Sequence, residues 1–412
     1  MTGAKAKLGG NLRHGSVQAA LAVPPSNPGW KPWLWFLGLA AIFLSLELLV
    51  PLGSAIKLGA DEDYELSKVL LFIRGFHFYS EVWVDQPPLY TWLLAGIVQH
   101  TGLSVLGARL LTVGLALLLL GSLFRLALNL GNLRTAVMAV GLVIAAPGFL
   151  ELASSCMVEV PTLTFVVAAF AVLSQPGRYH FPWLEIGAGL LFGIALQMKL
   201  IAMIYLPLTV LLLWLKHRLN PKQLFLSAWV IGITAGLTFL VLNAMTGCSL
   251  GLQLQQSWAS HFSSAKSFEY GTPAEHVFDP VLLFRKGYGA VPALLCAGVL
   301  LSRVRALSPL LFALGWLALS LAIVSTHRPW WACYYLHNAI PLCWCAAITL
   351  DMAFMWARSR RSRIVLVTLY LVVAGTWMGM RGYLEIMSMR HSPKLFNSLV
   401  LSRINRYKPF TK

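Results

Sequence analysis

Long apolar runs, separated by short polar breaks, recur along almost the whole chain. They fall at about 33–55, 104–127, 135–152, 159–174, 183–198, 200–215, 223–244, 287–302, 308–325, 333–350 and 364–380. Most reach or approach the roughly 20 residues that carry a helix across a bilayer. The runs are continuous rather than alternating, which argues against a membrane β-barrel. The expected fold is all-α: a polytopic membrane helix bundle of about 11 transmembrane helices. The segment 88–100 is also apolar but spans only about 13 residues, a length typical of re-entrant or interfacial helices.

Basic residues orient the bundle. With a cytoplasmic N-terminus and 88–100 not crossing, the inner loops receive Arg125, Arg134, Arg178, Lys216, Arg218, Lys222, Arg303, Arg305, Arg358, Arg360, Arg361 and Arg363. That is the positive-inside arrangement, and counting 88–100 as a span would invert every later loop. The chain then divides into a basic cytoplasmic N-terminus (1–32), a transmembrane domain (33–380) and a basic C-terminal tail (381–412) that falls outside. The first run reads as an uncleaved signal anchor. Two long outer loops are expected, at 56–103 and 245–286. Loops of that length are usually functional or disordered.

Composition supports the membrane reading. Hydrophobic residues make up 58% of the 412 and charged residues 11%, far from a soluble mixture. A net charge of +17 would suggest nucleic acid in a soluble protein. Here the Lys and Arg of short loops orient helices and meet anionic lipid, so no nucleic-acid partner is expected. The six cysteines follow no metal or disulfide framework. Cys343 and Cys345 sit inside an apolar run, whereas Cys156, Cys248 and Cys333 fall near outer loops, where one disulfide could form.

The candidate chemistry lies in the first outer loop. Of 15 acidic residues, six (Asp61, Glu62, Asp63, Glu65, Glu81, Asp85) crowd there. Residues Tyr64 to Phe76 could form an amphipathic helix on the membrane surface, with Leu66, Val69, Leu70 and Ile73 on one face. Asp61-Glu62-Asp63 has two readings: an acidic boundary that only wets the surface, or a general base whose proton affinity is raised by partial burial and like charge. In Asp85-Gln86-Pro87-Pro88-Leu89 the two prolines fix an extended lead into a helix, and could hold Asp85 beside the acidic run.

Cations come from elsewhere in the chain. Arg109 and Lys199 stand at outward helix ends, and Arg74 in the first loop. Each either snorkels or pairs with an anionic group at the membrane surface. Glu159 opens a span, as a helix-start acid or a site residue. His261, His276 and His337 lie in or beside outer segments, and two of them with Asp85 could bind a divalent ion. The pairs Trp330-Trp331 and Tyr334-Tyr335 form an interfacial belt or a stacking surface for a sugar. No phosphate-binding glycine loop and no G-x-S-x-G elbow is present.

Taken in order, these segments resemble the lipid-linked-sugar glycosyltransferases of GT-C type. The nearest branch is the protein O-mannosyltransferase and lipid A aminoarabinose transferase superfamily. The resemblance rests on the acidic pair after the first span, the amphipathic helix ending in Gly75, Tyr79, and Asp85-Gln86-Pro87-Pro88-Leu89. It continues at Arg109-Leu110, at Glu159-Val160-Pro161 where the family usually has Asp, and at Lys199 in a tight turn.

The resemblance implies a GT-C helix bundle with a helical first outer loop, and an inverting transfer of sugar from a polyprenyl-phosphate donor. The acceptor would be a protein, glycolipid or polysaccharide at the extracytoplasmic face, in a bacterial plasma membrane. It implies Asp61 as the catalytic acidic residue, with Glu62 and Asp63 the neighbours between which the register is ambiguous. Lys199, Arg109 and Arg74 would meet the phosphate, and Asp85, Gln86 and Glu159 would bind substrate. The only cofactor implied is a divalent metal ion at Asp85, with His261 and His337 as candidate ligands. The alternative is a transporter or lipid flippase, which predicts two related halves with broken helices at mid-membrane. No such halves are seen in the sequence.

Overall fold

The computed structural model describes residues 31–50, 52–53, 62–101, 105–146, 148–176, 181–259, 307–326, 331–357 and 359–377. Helix α1 is Lys31–Glu47, α2 Glu62–Ile73, α3 Leu89–His100, α4 Val105–Leu130, α5 Leu133–Ala145, α6 Phe149–Ser154 and α7 Glu159–Leu173. There follow α8 (Trp183–Met198), a 3-10 turn (Leu200–Tyr205), α9 (Leu206–His217), α10 (Pro221–Met245), α11 (Leu250–Leu254) and a π turn (Gln255–Ala259). The last helices are α12 (Leu307–Thr326), α13 (Tyr335–Trp356) and α14 (Arg360–Trp377). No strand occurs among the described residues.

Among the described residues four stretches are long and apolar enough to cross a membrane: Val105–Leu130, Leu200–His217, Pro221–Met245 and Tyr335–Trp356. Shorter apolar helices, among them α5, α7 and α8, complete a multi-pass membrane bundle. The run expected at 287–302 lies outside the described residues.

Two expected spans are interrupted. The run at 135–152 becomes α5 and α6, with Gly148 between them at φ +76°. Proline at 147 cannot continue a helix, and glycine supplies the left-handed turn. The run at 200–215 begins as 3-10 and turns α-helical at Leu206, because Pro207 suits only a first turn.

Side-chain size sets how the helices meet. Gly189 and Gly193 of α8 let the α10 backbone approach, with Thr234 and Thr238 filling the space a Cβ would take. Phe170 of α7, Phe192 of α8, Phe312 and Trp316 of α12 and Trp344 of α13 pack edge-to-face at the centre. The outer face of α10 (Phe225, Trp229, Ile233, Leu237, Val241) is exposed, as a lipid-facing surface should be.

The two ends of the bundle differ in chemistry. At one end Asp351 accepts from Arg134 Nε (2.7 Å) and from Asn132, and Lys216 Nζ donates to the Asn129 carbonyl (2.9 Å). These residues belong to the loops that the basic pattern groups together. The opposite end holds α2, α3, the starts of α4, α7 and α13, and the ends of α8 and α10.

Helix α2 forms where expected, but it does not lie half in water. Glu62, Glu65, Leu66, Ser67, Lys68, Val69 and Leu71 are all buried. Charged residues can line a buried face here because each finds a partner.

Candidate active site

Helix α2 begins at Glu62 and stops before Gly75, whose φ of +87° is the usual glycine exit from a helix. Asp61, the expected catalytic residue, lies outside the described residues.

Glu62 is fixed to Arg109 of α4 at two points, Nε to Oε1 at 2.9 Å and Nη2 to Oε2 at 2.8 Å. Its Oε1 also accepts from the Cys156 N–H (3.0 Å), and Arg109 Nη1 donates to the Leu52 carbonyl (2.6 Å). Both side chains are 1% exposed. The pair joins the first loop, α4 and the α6–α7 link. Asp63 is partly exposed; its Oδ1 accepts from the Tyr64 N–H (2.9 Å) and its carbonyl from the Ser67 hydroxyl (2.7 Å).

Glu65, one turn on, is the acid that faces inward. It accepts from Lys68 Nζ at 2.7 Å and, more weakly, from the Thr91 hydroxyl of α3 at 3.4 Å. The Lys68 ammonium also lies 4.6 Å from the centre of the Tyr64 ring. Burial pushes the Glu65 carboxyl above its ordinary range; Lys68 opposes that, and the negative charges of Asp85 and Glu159 add to it.

Asp85 is half-buried at the lead into α3. Its oxygens accept from the Tyr64 hydroxyl (3.4 Å) and from Gln86 Nε2 (3.2 Å). Pro88 stands at the cap of α3, and its carbonyl takes the Trp92 N–H (2.9 Å). Arg74 is exposed at the far end of α2.

Lys199 sits in extended backbone between α8 and the 3-10 turn. Its Nζ donates to Glu159 Oε1 at 2.6 Å and lies 4.7 Å from the Tyr334 ring centre. Both members of the pair are buried, and Glu159 Oε2 has no partner. His337 is buried beside them; its Nδ1 bonds the Tyr205 hydroxyl (2.6 Å), and the two rings stack.

The structure thus brings Glu65, Asp85, Glu159 and Lys199 to one end of the bundle, with Tyr64 and Tyr334 between them and Glu62–Arg109 as a brace. Two features escape the sequence reading: the Glu65–Lys68 pair and the tyrosine rings that carry each lysine. Their spacing, i to i+3 on one helix, is the signal that was available for the first.

Among the described residues no three of His, Cys, Asp and Glu gather as metal ligands. Asp85 bonds Tyr64 and Gln86, His337 bonds Tyr205, and His261 and His276 lie outside the described residues. The described donors therefore do not by themselves make a divalent-cation site. Among the described residues Cys156, Cys248, Cys343 and Cys345 are free thiols.

Residues 85–242 match the family model described as Dolichyl-phosphate-mannose-protein mannosyltransferase. No curated protein matches the chain by sequence. Among solved structures, ArnT from Cupriavidus metallidurans bound to undecaprenyl phosphate is similar, with a TM-score of 0.57 at 18% identity, over 84% of this chain and 64% of that one. The Archaeoglobus fulgidus oligosaccharyltransferase tethered to an acceptor peptide gives 0.61 at 14%, over 88% and 55%. AglB of the same organism, with an inhibitory peptide and a dolichol-phosphate, gives 0.59 at 14%, over 87% and 56%. The chain spans just under two thirds of the first of these proteins and little more than half of the others. At such identities the likeness is one of fold: the chain has the GT-C fold that these membrane proteins share.

Proposed function

We propose that this chain is an integral-membrane glycosyltransferase that moves a sugar from a polyprenyl-phosphate donor to an acceptor, with inversion. The active site would face the extracytoplasmic side, in a bacterial plasma membrane. One observation carries the reading: a buried lysine, Lys199, stands at the same end of the bundle as the loop acids. Two supports accompany it, the matched family segment and a neighbour of like fold that binds undecaprenyl phosphate. The basic loops gather at the opposite end, which suits a cytosolic face there.

In this mechanism the donor tail lies between helices, and the sugar phosphate projects beneath α2. Asp61 takes the proton of the acceptor hydroxyl or amine. The acceptor atom bonds the anomeric carbon from the face opposite the phosphate, and the bond from that carbon to the phosphate oxygen breaks. The carrier leaves as a phosphate dianion. An ammonium has three donors, and Lys199 spends one on Glu159. The remainder would meet the phosphate oxygens in a low-dielectric setting, where such contacts count most. Asp85, with Tyr64 and Gln86, orients the sugar or the acceptor. A transporter would place its buried charges at mid-membrane between related halves, whereas Glu65, Glu159 and Lys199 lie at one end of the bundle.

The test is mass spectrometry of glycans and glycolipids from cells with the protein, without it, and with Asp61→Asn. A glycan present only with the wild type is expected. Asp61→Asn at normal membrane levels should lose it, and full product from that variant would reject the assignment.

A further inference from the structure

One side chain joins the two long loops. Gln256 donates from Nε2 to the Tyr79 carbonyl (2.6 Å) and accepts at Oε1 from the Val84 N–H (3.1 Å). It thereby satisfies two backbone groups of a buried turn that would otherwise need a neighbouring strand. Tyr79 is held at φ +68°, a conformation that costs a bulky residue and persists only where its surroundings impose it. The Tyr79 hydroxyl donates to the Gln86 carbonyl (2.7 Å), so the clamp reaches the residue after Asp85. Gln256 itself lies in the π turn Gln255–Ala259, an element concentrated at functional sites.

One helical turn earlier, on the same face, stands Gln253. It is 0% exposed, and neither its Nε2 nor its Oε1 has a partner. Ser257, next along that face, is buried beside the Tyr79 hydroxyl. The face therefore looks onto the turn that carries Asp85 and Gln86. A buried carboxamide with both ends unmet is costly, and an apolar residue of the same shape would avoid the cost.

We propose that Gln253 is a substrate-contact residue whose carboxamide receives hydroxyl groups of the donor sugar, on a surface that Gln256 holds against the Asp85 turn. A sugar fits this position because adjacent hydroxyls each donate and accept, as the two ends of a carboxamide do. A polyprenyl tail offers neither. The inference rests on the glycosyl-transfer reading above.

The test is Gln253→Met, which keeps volume and removes the polar ends. If Gln253 binds sugar, purified variant protein should unfold at the wild-type temperature or higher, while cells expressing it make at least about tenfold less of the glycan product. Full product from Gln253→Met overturns the inference and leaves the glycosyltransferase reading intact. A wild type that adds no glycan to cells lacking the protein removes that reading, and the inference with it. Should Gln253→Met fail to reach the membrane, Gln253→Asn, which keeps the amide one methylene short, carries the same comparison.

Discussion

Glu62 and Arg109, 47 residues apart in sequence, meet through two parallel hydrogen bonds of 2.9 and 2.8 Å in a pocket closed to solvent. The Glu62 carboxylate also takes the Cys156 N–H, and the guanidinium also donates to the Leu52 carbonyl. Removing one partner leaves a buried charge unpaired, which costs about 3–5 kcal/mol. Glu62→Gln and Arg109→Met should each lower the unfolding temperature in detergent sharply. The double variant Glu62→Gln/Arg109→Met should recover most of that loss and retain sugar transfer, as expected of a brace. A stable double variant without transfer would return one of the two to the chemistry.

The Lys199–Glu159 pair calls for the opposite result. Lys199→Met strands Glu159 and should destabilise by a similar amount, about 3–5 kcal/mol. Adding Glu159→Gln should restore stability, since neither residue is then charged. Transfer should stay depressed by roughly 10²- to 10³-fold in the stable double variant, because no ammonium remains to meet the departing phosphate. Initial rates against donor concentration, set beside unfolding temperatures, separate the two effects. Recovery of transfer along with stability would make the pair purely structural.

Glu65 makes stability depend on pH. Its carboxyl is held above the ordinary value of 4.5, by burial first and then by Asp85 and Glu159 working against Lys68. The folded protein thus binds this proton more tightly than the unfolded chain. The stabilisation is complete below the ordinary value and is lost as pH rises through the higher folded-state value. Unfolding temperatures should fall over that interval, and Glu65→Gln, which has no proton to lose, should flatten the slope. An identical slope in the variant would show that other groups govern it.

Much of this arrangement is legible in the sequence where local chemistry decides it. Pro87-Pro88 sets the start of α3, Gly75 ends α2, and apolar runs name most helices, so the end of the bundle that carries the acids follows. Partner choice is not local. Nothing in Asp61-Glu62-Asp63 says that Glu62 turns inward to Arg109, because that depends on how α2 rotates against α4. The sequence reading likewise made α2 a surface helix, since Glu65 and Lys68 look solvent-exposed until they neutralise each other. The clamp of Gln256 on Tyr79 and Val84 links residues more than 170 positions apart, and no periodicity records it. Pro147 is a helix breaker written into the apolar run 135–152, and the hydropathy of that run masks it.

The close approach of α8 and α10 gives a final prediction, independent of the chemistry. A Cβ on Gly193 would stand 2.7 Å from the Ala235 carbonyl oxygen and closer still to Thr238 Cβ, neither of which is a flexible side-chain tip. Relief requires the helices to part, and overpacking of this kind costs about 1–3 kcal/mol. Gly187 lies on the same helix, but its added Cβ would meet only Val172 Cγ1 at 3.4 Å, an ordinary contact. Gly193→Ala should therefore lower the unfolding temperature, while Gly187→Ala should leave it unchanged or raise it through better helix propensity. Both variants gain the same methyl group, so the comparison isolates the helix contact. Equal behaviour of the two would mean that α8 and α10 do not pack through this glycine face.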